Sequence, residues 1–213
     1  MLLRMLAACE YSQVVMSAFL RKGWDAYSCD ILPCEGAYPL RHLQTDVRNV
    51  LHYNWDLVIA FPPCTNLAIS GARYFARKKQ DGSLQKAVDF FLMFTKLTVP
   101  YVCIENPVGI MSYKYRRPDT YIQPYDFGHD VSKKTCLWLK NLPVLIPVKH
   151  VAPSYYTVTG LPRWGNQTPS GQNKAGETKQ RGHKRSRFFE GVAKAMADQW
   201  TRHICKDIME KNK

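Results

Sequence analysis

Short apolar runs alternate with helical stretches through the first half of the chain. Residues 2–8, apolar apart from Arg4, predict a buried strand. Residues 12–22 follow with a helical pattern. Val15, Phe19 and Leu20 share a face, Ser12 stands at the N-cap position and Gly23 at the stop. Residues 26–29 predict a second strand ending at Asp30, and a third short strand is expected before Asp46. Residues 56–61 give the clearest strand pattern, stopped by Pro62 and Pro63. A helix is expected over residues 84–97, with Val88, Phe91, Leu92 and Thr95 on one face. The next strand, residues 101–104, ends at Glu105.

Continuous apolar runs, rather than strict alternation, mean strands covered on both faces. The fold class predicted is therefore α/β, a mostly parallel sheet with helices on both sides. In such sheets ligands sit beyond the carboxyl ends of the strands. Four predicted strands end in a polar or reactive group: Glu10, Asp30, Cys64 and Glu105.

After residue 130 the pattern changes. Residues 137–139 and 144–146 are expected as late strands, an antiparallel pair at the sheet edge. Residues 152–187 are rich in Pro, Gly, Asn, Thr and Lys and read as an exposed loop. Residues 188–208 regain a helical pattern through Val192, Ala195, Met196, Trp200 and Ile204. The expected organisation is a core over residues 1–150, a short basic recognition loop over 151–187, and a C-terminal helix over 188–213 that packs back on the core. No internal repeat is visible.

Composition narrows the class. A chain of 213 residues with 46% hydrophobic and 12% aromatic residues can bury a core and is not wholly disordered. No apolar run approaches the roughly 20 residues of a membrane helix. The start of the chain lacks a signal-peptide layout. A soluble cytoplasmic protein with no membrane partner is expected. The seven cysteines, at 9, 29, 34, 64, 103, 136 and 205, form no Cys-x-x-Cys pair and no zinc-spaced cluster. Reduced thiols and no metal are expected.

Charge changes the picture further. Thirty Lys and Arg against 17 Asp and Glu give a net charge of +13. Residues 1–150 carry 18 basic and 12 acidic groups, and residues 151–213 carry 12 and 5. The final segment thus holds over half the excess, and favours a polyanionic partner. Lys174, Lys179, Arg181, Lys184 and Arg185 are candidates for phosphate contacts, with Tyr155, Tyr156 and Trp164 nearby for stacking. Arg73, Arg77, Lys78 and Lys79, just after Cys64, form a second basic group. A solvated helix face explains this second group nearly as well, and a solubilising loop is the plainer reading of the first.

The segment richest in chemistry is Phe61-Pro62-Pro63-Cys64-Thr65-Asn66. Two prolines after a buried strand make a stiff turn that can hold the next side chain at the strand's carboxyl end. A thiol there suits a nucleophile, although a cysteine taken alone reads first as a small core residue. Glu105 would end the neighbouring parallel strand, where burial can raise a carboxyl's pKa enough to hold a proton near neutrality.

Pro-Pro-Cys after a strand, with Glu105-Asn106-Pro107 following it, resembles the cytosine carbon-5 DNA methyltransferases. A closer resemblance is to short phage-encoded members of that family. It rests on Ala8-Cys9-Glu10, Cys29-Asp30 and Lys133-Lys134-Thr135-Cys136-Leu137-Trp138-Leu139-Lys140. It covers roughly residues 3–147 and, more loosely, 185–200. The resemblance implies a Rossmann-like class I fold dependent on S-adenosylmethionine, and DNA, duplex or single-stranded, as partner. It implies Cys64 as nucleophile at cytosine carbon 6 and Glu105 as the group facing ring nitrogen 3 and the exocyclic amine. Lys133 and Thr135 stand where the family has an Arg-x-Arg element.

For the cofactor the resemblance implies Cys9, Glu10, Tyr11 and Ser12 in the first turn. It also implies Asp30 at the ribose, Ile31 beside the adenine, Asp46 at the adenine amino group with Val47 next to it, and Pro62. The family's first turn is rich in glycine; here no glycine precedes Gly23, which leaves Glu10 and the amides of the helix N-terminus to do that work. Only about 35 residues stand where full-length members insert a recognition domain. Two alternatives therefore stand beside DNA carbon-5 methylation: the same chemistry on dCMP or RNA, and a catalytically decayed DNA-binding homologue.

Overall fold

The computed structural model describes residues 2–174 and 188–212. The elements in chain order are β1 (Arg4–Ala8), α1 (Val14–Leu20), β2 (Asp25–Asp30), β3 (His42–Gln44) and β4 (Leu57–Ala60). Next come α2 (Phe75–Gln80), α3 (Ser83–Thr95), β5 (Tyr101–Pro107), α4 (Met111–Lys114) and β6 (Thr120–Ile122). The last are β7 (Thr135–Lys140), β8 (Tyr155–Tyr156), β9 (Pro162–Arg163) and α5 (Glu190–Lys211).

Seven strands make one sheet in the order β3-β2-β1-β4-β5-β7-β6. β3, β2, β1, β4 and β5 pair in parallel, and β7 runs antiparallel to both β5 and β6. That order, with the reversed strand β7, is the Rossmann-like fold of class I methyltransferases. The chain walks outward from β1 to β3, then returns to place β4 on the other side of β1. The carboxyl ends around β1 and β4 therefore frame the crevice where such sheets take ligands.

Alternation within each strand builds two cores. Met5, Ala7, Leu57, Ile59, Tyr101 and Cys103 face α1 and α5, and join Val15, Phe19, Trp24, Met196 and Trp200. Leu6, Ala8, Val58, Ala60, Val102 and Ile104 face the other way, and join Phe91, Phe94 and Trp138. Both faces are covered, as the continuous apolar runs require.

Three local expectations differ from what forms. α1 begins at Val14, and its N-cap is Gln13 with φ 58°, not Ser12. Glu10 supplants Ser12: its carboxylate accepts from Val15 N at 2.7 Å and Met16 N at 3.1 Å, while Ser12 Oγ donates to Glu10 Oε1. The hydroxyl is instead turned to the carboxylate that takes those amides. Residues 144–146 form no strand, because Pro143 and Pro147 bracket them and neither can donate to a ladder. The backbone of Ile146 pairs instead with the Gln199 side-chain amide, which accepts from its N–H and donates to its carbonyl. β7 takes the antiparallel place, against β5. Residues 152–174, expected as open loop, contain the small β8–β9 hairpin.

Candidate active site

The carboxyl ends of β4 and β5 carry the two reactive groups. Ala60 pairs with Ile104 across the parallel ladder, so the Pro-Pro-Cys turn and Glu105 leave the sheet side by side. The turn is tight: the Cys64 carbonyl accepts from both Leu67 N and Ala68 N at 2.9 Å. Cys64 itself is half-buried, between the buried Pro62 and the exposed Thr65.

Three ties lace this turn to the segment after Glu105. Asn106 Nδ2 donates to the Pro62 carbonyl at 2.8 Å. Ile69 N donates to Val108 O, and Ile110 N to Leu67 O, each at 3.0 Å. Gly109 makes the last contact possible, since a Cβ there would lie 2.1 Å from the Leu67 carbonyl oxygen. Neither Asn106 nor Gly109 was singled out from the sequence. The Glu-Asn-Pro run did contain the first of them; a glycine chosen for close approach to a distant carbonyl leaves no local pattern.

Glu105 is 8% exposed and pairs with Leu137 of β7, on the sheet face that also carries Cys103. Burial pushes its pKa up; the Lys133 charge and a hydrogen bond with Thr135 oppose that shift. Lys133 and Thr135 thus both lie at Glu105. β7 carries them there: it begins at Thr135, which pairs with Pro107. Lys133 Nζ also lies 5.6 Å from the Phe189 ring, while Lys134 points to Tyr121 instead. Phe61 and Phe188, 5.1 Å between ring centroids, continue the apolar wall.

The ends of β1, β2 and β3 form the second half of the crevice. Cys9 has φ 62°, a left-handed conformation that glycine adopts freely. Its thiol is held un-ionised by burial first, then by the charges of Asp30 and Asp46 and by Cys29. Those influences show Cys9, Asp30 and Asp46 converging from three strands. Burial also raises the Asp30 pKa, against a hydrogen bond from Leu32 N. Ile31 beside it is 71% exposed, an apolar side chain open to a ligand.

Other expected cofactor residues are already engaged. Glu10 is buried with its pKa raised to about 7, burial outweighing the helix amides it caps. Those amides are consequently unavailable to an outside anion. The Asp46 carboxylate is held by Arg48, which lowers its pKa to about 2. Val47 packs in the second core. Tyr11 is buried, and its carbonyl accepts from Glu35 N at 2.9 Å. Pro62 is buried with its carbonyl taken by Asn106.

The basic residues fall into two sets. Arg73, Arg77 and Lys79 are exposed beside the thiol turn, whereas Lys78 Nζ donates to the Thr65 carbonyl at 2.6 Å and so braces the turn. Lys174 is exposed at the end of the small module that holds β8 and β9. That module is clamped to the core. Asp130 accepts from Ser154 Oγ and Gly165 N, Asn166 exchanges two bonds with Ser132, and Trp164 stacks on Tyr125 at 3.9 Å. Lys179, Arg181, Lys184 and Arg185 lie outside the described residues. Among the described residues no cluster of His, Cys, Asp and Glu could hold a metal, and no helix is long and apolar enough to cross a membrane.

A class I methyltransferase fold with a thiol and a buried carboxyl at adjacent strand ends is what the geometry defines. No family model matches the chain, and no curated protein does. Among solved structures, the chain is similar to an E. coli prophage-encoded protein proposed to be a DNA modification methyltransferase. That likeness has 16% identity and a TM-score of 0.47, and covers 73% of this chain and 56% of the other. It transfers no residue roles.

Proposed function

We propose that this protein transfers a methyl group to carbon 5 of cytosine in DNA through a covalent adduct on Cys64. What carries the reading is the lacing of the half-buried Cys64 turn to the strand end bearing buried Glu105. Cytosine carbon 5 is electron-poor and does not attack a methyl donor unaided. A Cys64 thiolate adding at carbon 6 supplies the missing electron density. Glu105, holding its proton through burial, hydrogen-bonds ring nitrogen 3 and balances the negative charge that develops there. Lys133 and Thr135 keep that carboxyl in place. Once carbon 5 carries the methyl group, a water molecule takes the proton from that carbon, the bond to sulfur breaks, Cys64 leaves as thiolate and the aromatic ring is restored.

S-adenosylmethionine supplies the methyl group when bound. The donor set at the ends of β1 and β2 fits it: a carboxylate, Asp30, for a ribose diol, and an exposed apolar residue, Ile31, for an adenine face. On DNA the basic residues at 73, 77 and 79 and Lys174 serve as phosphate contacts. One observation favours a second reading, a DNA-binding homologue that no longer catalyses: Glu10 fills the helix amides that a cofactor carboxylate would use.

The test is transfer of labelled methyl from S-adenosylmethionine to duplex DNA, single-stranded DNA, RNA and dCMP. The expected result is label on cytosine carbon 5 in DNA, lost in Cys64→Ser. A 5-fluorocytosine oligonucleotide should trap a covalent adduct on Cys64. Label on RNA or dCMP alone changes the substrate. Tight DNA binding with no label on any substrate supports the second reading.

A further inference from the structure

The first turn of the sheet holds a feature that the proposed chemistry does not explain. Gln13 sits at the α1 N-cap with φ 58°, where a side chain strains the backbone and glycine does not. Its side chain is nevertheless 1% exposed. The amide makes three bonds. Nε2 donates to Ser28 Oγ on β2 at 3.1 Å and to the Tyr38 carbonyl at 2.8 Å, and Oε1 accepts from Tyr38 N at 2.9 Å. Gln13 thus pairs with the Tyr38 peptide as a neighbouring strand would.

Tyr38 ends the strap of residues 31–38 that leaves β2 immediately after Asp30. Two further bonds fasten this strap: Glu35 N donates to Tyr11 O at 2.9 Å, and His42 Nε2 to Leu32 O at 2.9 Å. Leu32 O accepts only, so Nε2 carries the proton, and Nδ1 accepts from Ser28 Oγ at 2.9 Å. Gln13, Ser28 and His42 are therefore one network that grips the strap at both ends. Gly36 belongs to it as well, since a Cβ there would fall 2.4 Å from Gln13 Oε1. Glutamine at 13 and glycine at 36 fit each other.

We propose that Gln13 is a positioning residue for the methyl donor, replacing a glycine turn with a side-chain clamp. The clamp holds the strap so that Asp30 and Ile31 are presented, already ordered, to the ribose and adenine. The strained backbone at Gln13 is the cost of that ordering. This inference rests on the reading above that the donor binds at the ends of β1 and β2.

The experiment titrates S-adenosylhomocysteine into wild type, Gln13→Gly, Gly36→Ala and the double variant by calorimetry, with melting curves and methyl-transfer kinetics alongside. Wild type binds. Gln13→Gly relaxes the backbone but frees the strap, so the dissociation constant and the donor KM rise about tenfold or more, with kcat at saturating donor nearly unchanged. Gly36→Ala breaks the clamp from the other side and weakens binding similarly. In the Gln13→Gly background, Gly36→Ala has no further effect. Folded single variants that bind as tightly as wild type, with only their melting temperatures lowered, overturn the proposal. Wild type failing to bind S-adenosylhomocysteine overturns the donor reading instead, and the clamp's role with it.

Discussion

Glu10 makes the protein's stability depend on pH in a direction opposite to most carboxylates. Burial raises its pKa from 4.5 to about 7 in the folded state, while the unfolded chain leaves it ordinary. Below pH 4.5 both states hold the proton and Glu10 contributes nothing pH-dependent. Between 4.5 and 7 the unfolded state releases its proton while the folded state keeps it, so unfolding gains and stability falls as pH rises. Above 7 both are ionised and the loss, about 3 kcal/mol, is complete. Glu105 shifts the same way through burial and adds to the slope.

The perturbation that isolates Glu10 is Glu10→Gln. Glutamine cannot ionise, and like a protonated carboxyl it offers one oxygen to the amides of Val15 and Met16. Near pH 4.5 the two proteins should unfold at nearly the same urea concentration. At pH 8 the variant should be the more stable by about 3 kcal/mol, a midpoint difference on the order of 1 M urea. Urea unfolding followed by circular dichroism at five or six pH values gives the difference directly. A difference constant to within about 0.5 kcal/mol across that range, or one that grows in the wild type's favour, refutes the reasoning.

Three further outcomes follow from the laced turn and its carboxyl. Asn106→Ala removes the bond to Pro62, and should cost about 1–2 kcal/mol in urea unfolding while lowering kcat more than the DNA KM. Gly109→Ala drives a Cβ into the Leu67 carbonyl, so it should destabilise by about 2 kcal/mol or more and slow adduct formation with 5-fluorocytosine DNA; an unperturbed adduct rate argues that the turn is not positioned by this contact. Lys133→Ala removes the charge that holds the Glu105 pKa down, so the alkaline limb of the pH–rate profile should move to higher pH, and a limb that stays put shows that Glu105 is not the titrating group.

The parallel strands were readable because each is a dense apolar run stopped by a polar residue, and the sheet needs little else. The placement of Cys64 and Glu105 toward the carboxyl ends of neighbouring parallel strands was readable for the same reason. The antiparallel edge was misplaced because Val144, Leu145 and Ile146 have strand composition, while the prolines on either side withhold the pairing. The cap of α1 was misread because a carboxylate two residues upstream reached the amides before the hydroxyl did. The contacts of Gln13 leave no local sequence pattern, because its partners Ser28 and Tyr38 are 15 and 25 residues away. Asp46 and Val47 matched a short pattern, yet one is held by Arg48 and the other by the core. Side-chain amides that imitate a strand, at Gln13 and again at Gln199, have no signature in hydrophobic pattern at all.

The packing of α5 against α1 also sets an order in time. Trp24 Nε1 donates to Thr201 Oγ1 across 177 residues, and Lys22 pairs with Asp198. Val15, Phe19 and Trp24 therefore have no complete apolar surroundings until residues 190–204 have left the ribosome. A nascent chain ending before α5 carries the thiol turn, the glutamate strand and the strap, but one bare sheet face. Such intermediates expose apolar surface and attract chaperones or one another. Emergence of α5, more than pairing of the parallel strands, is then the step that commits this fold to its final state.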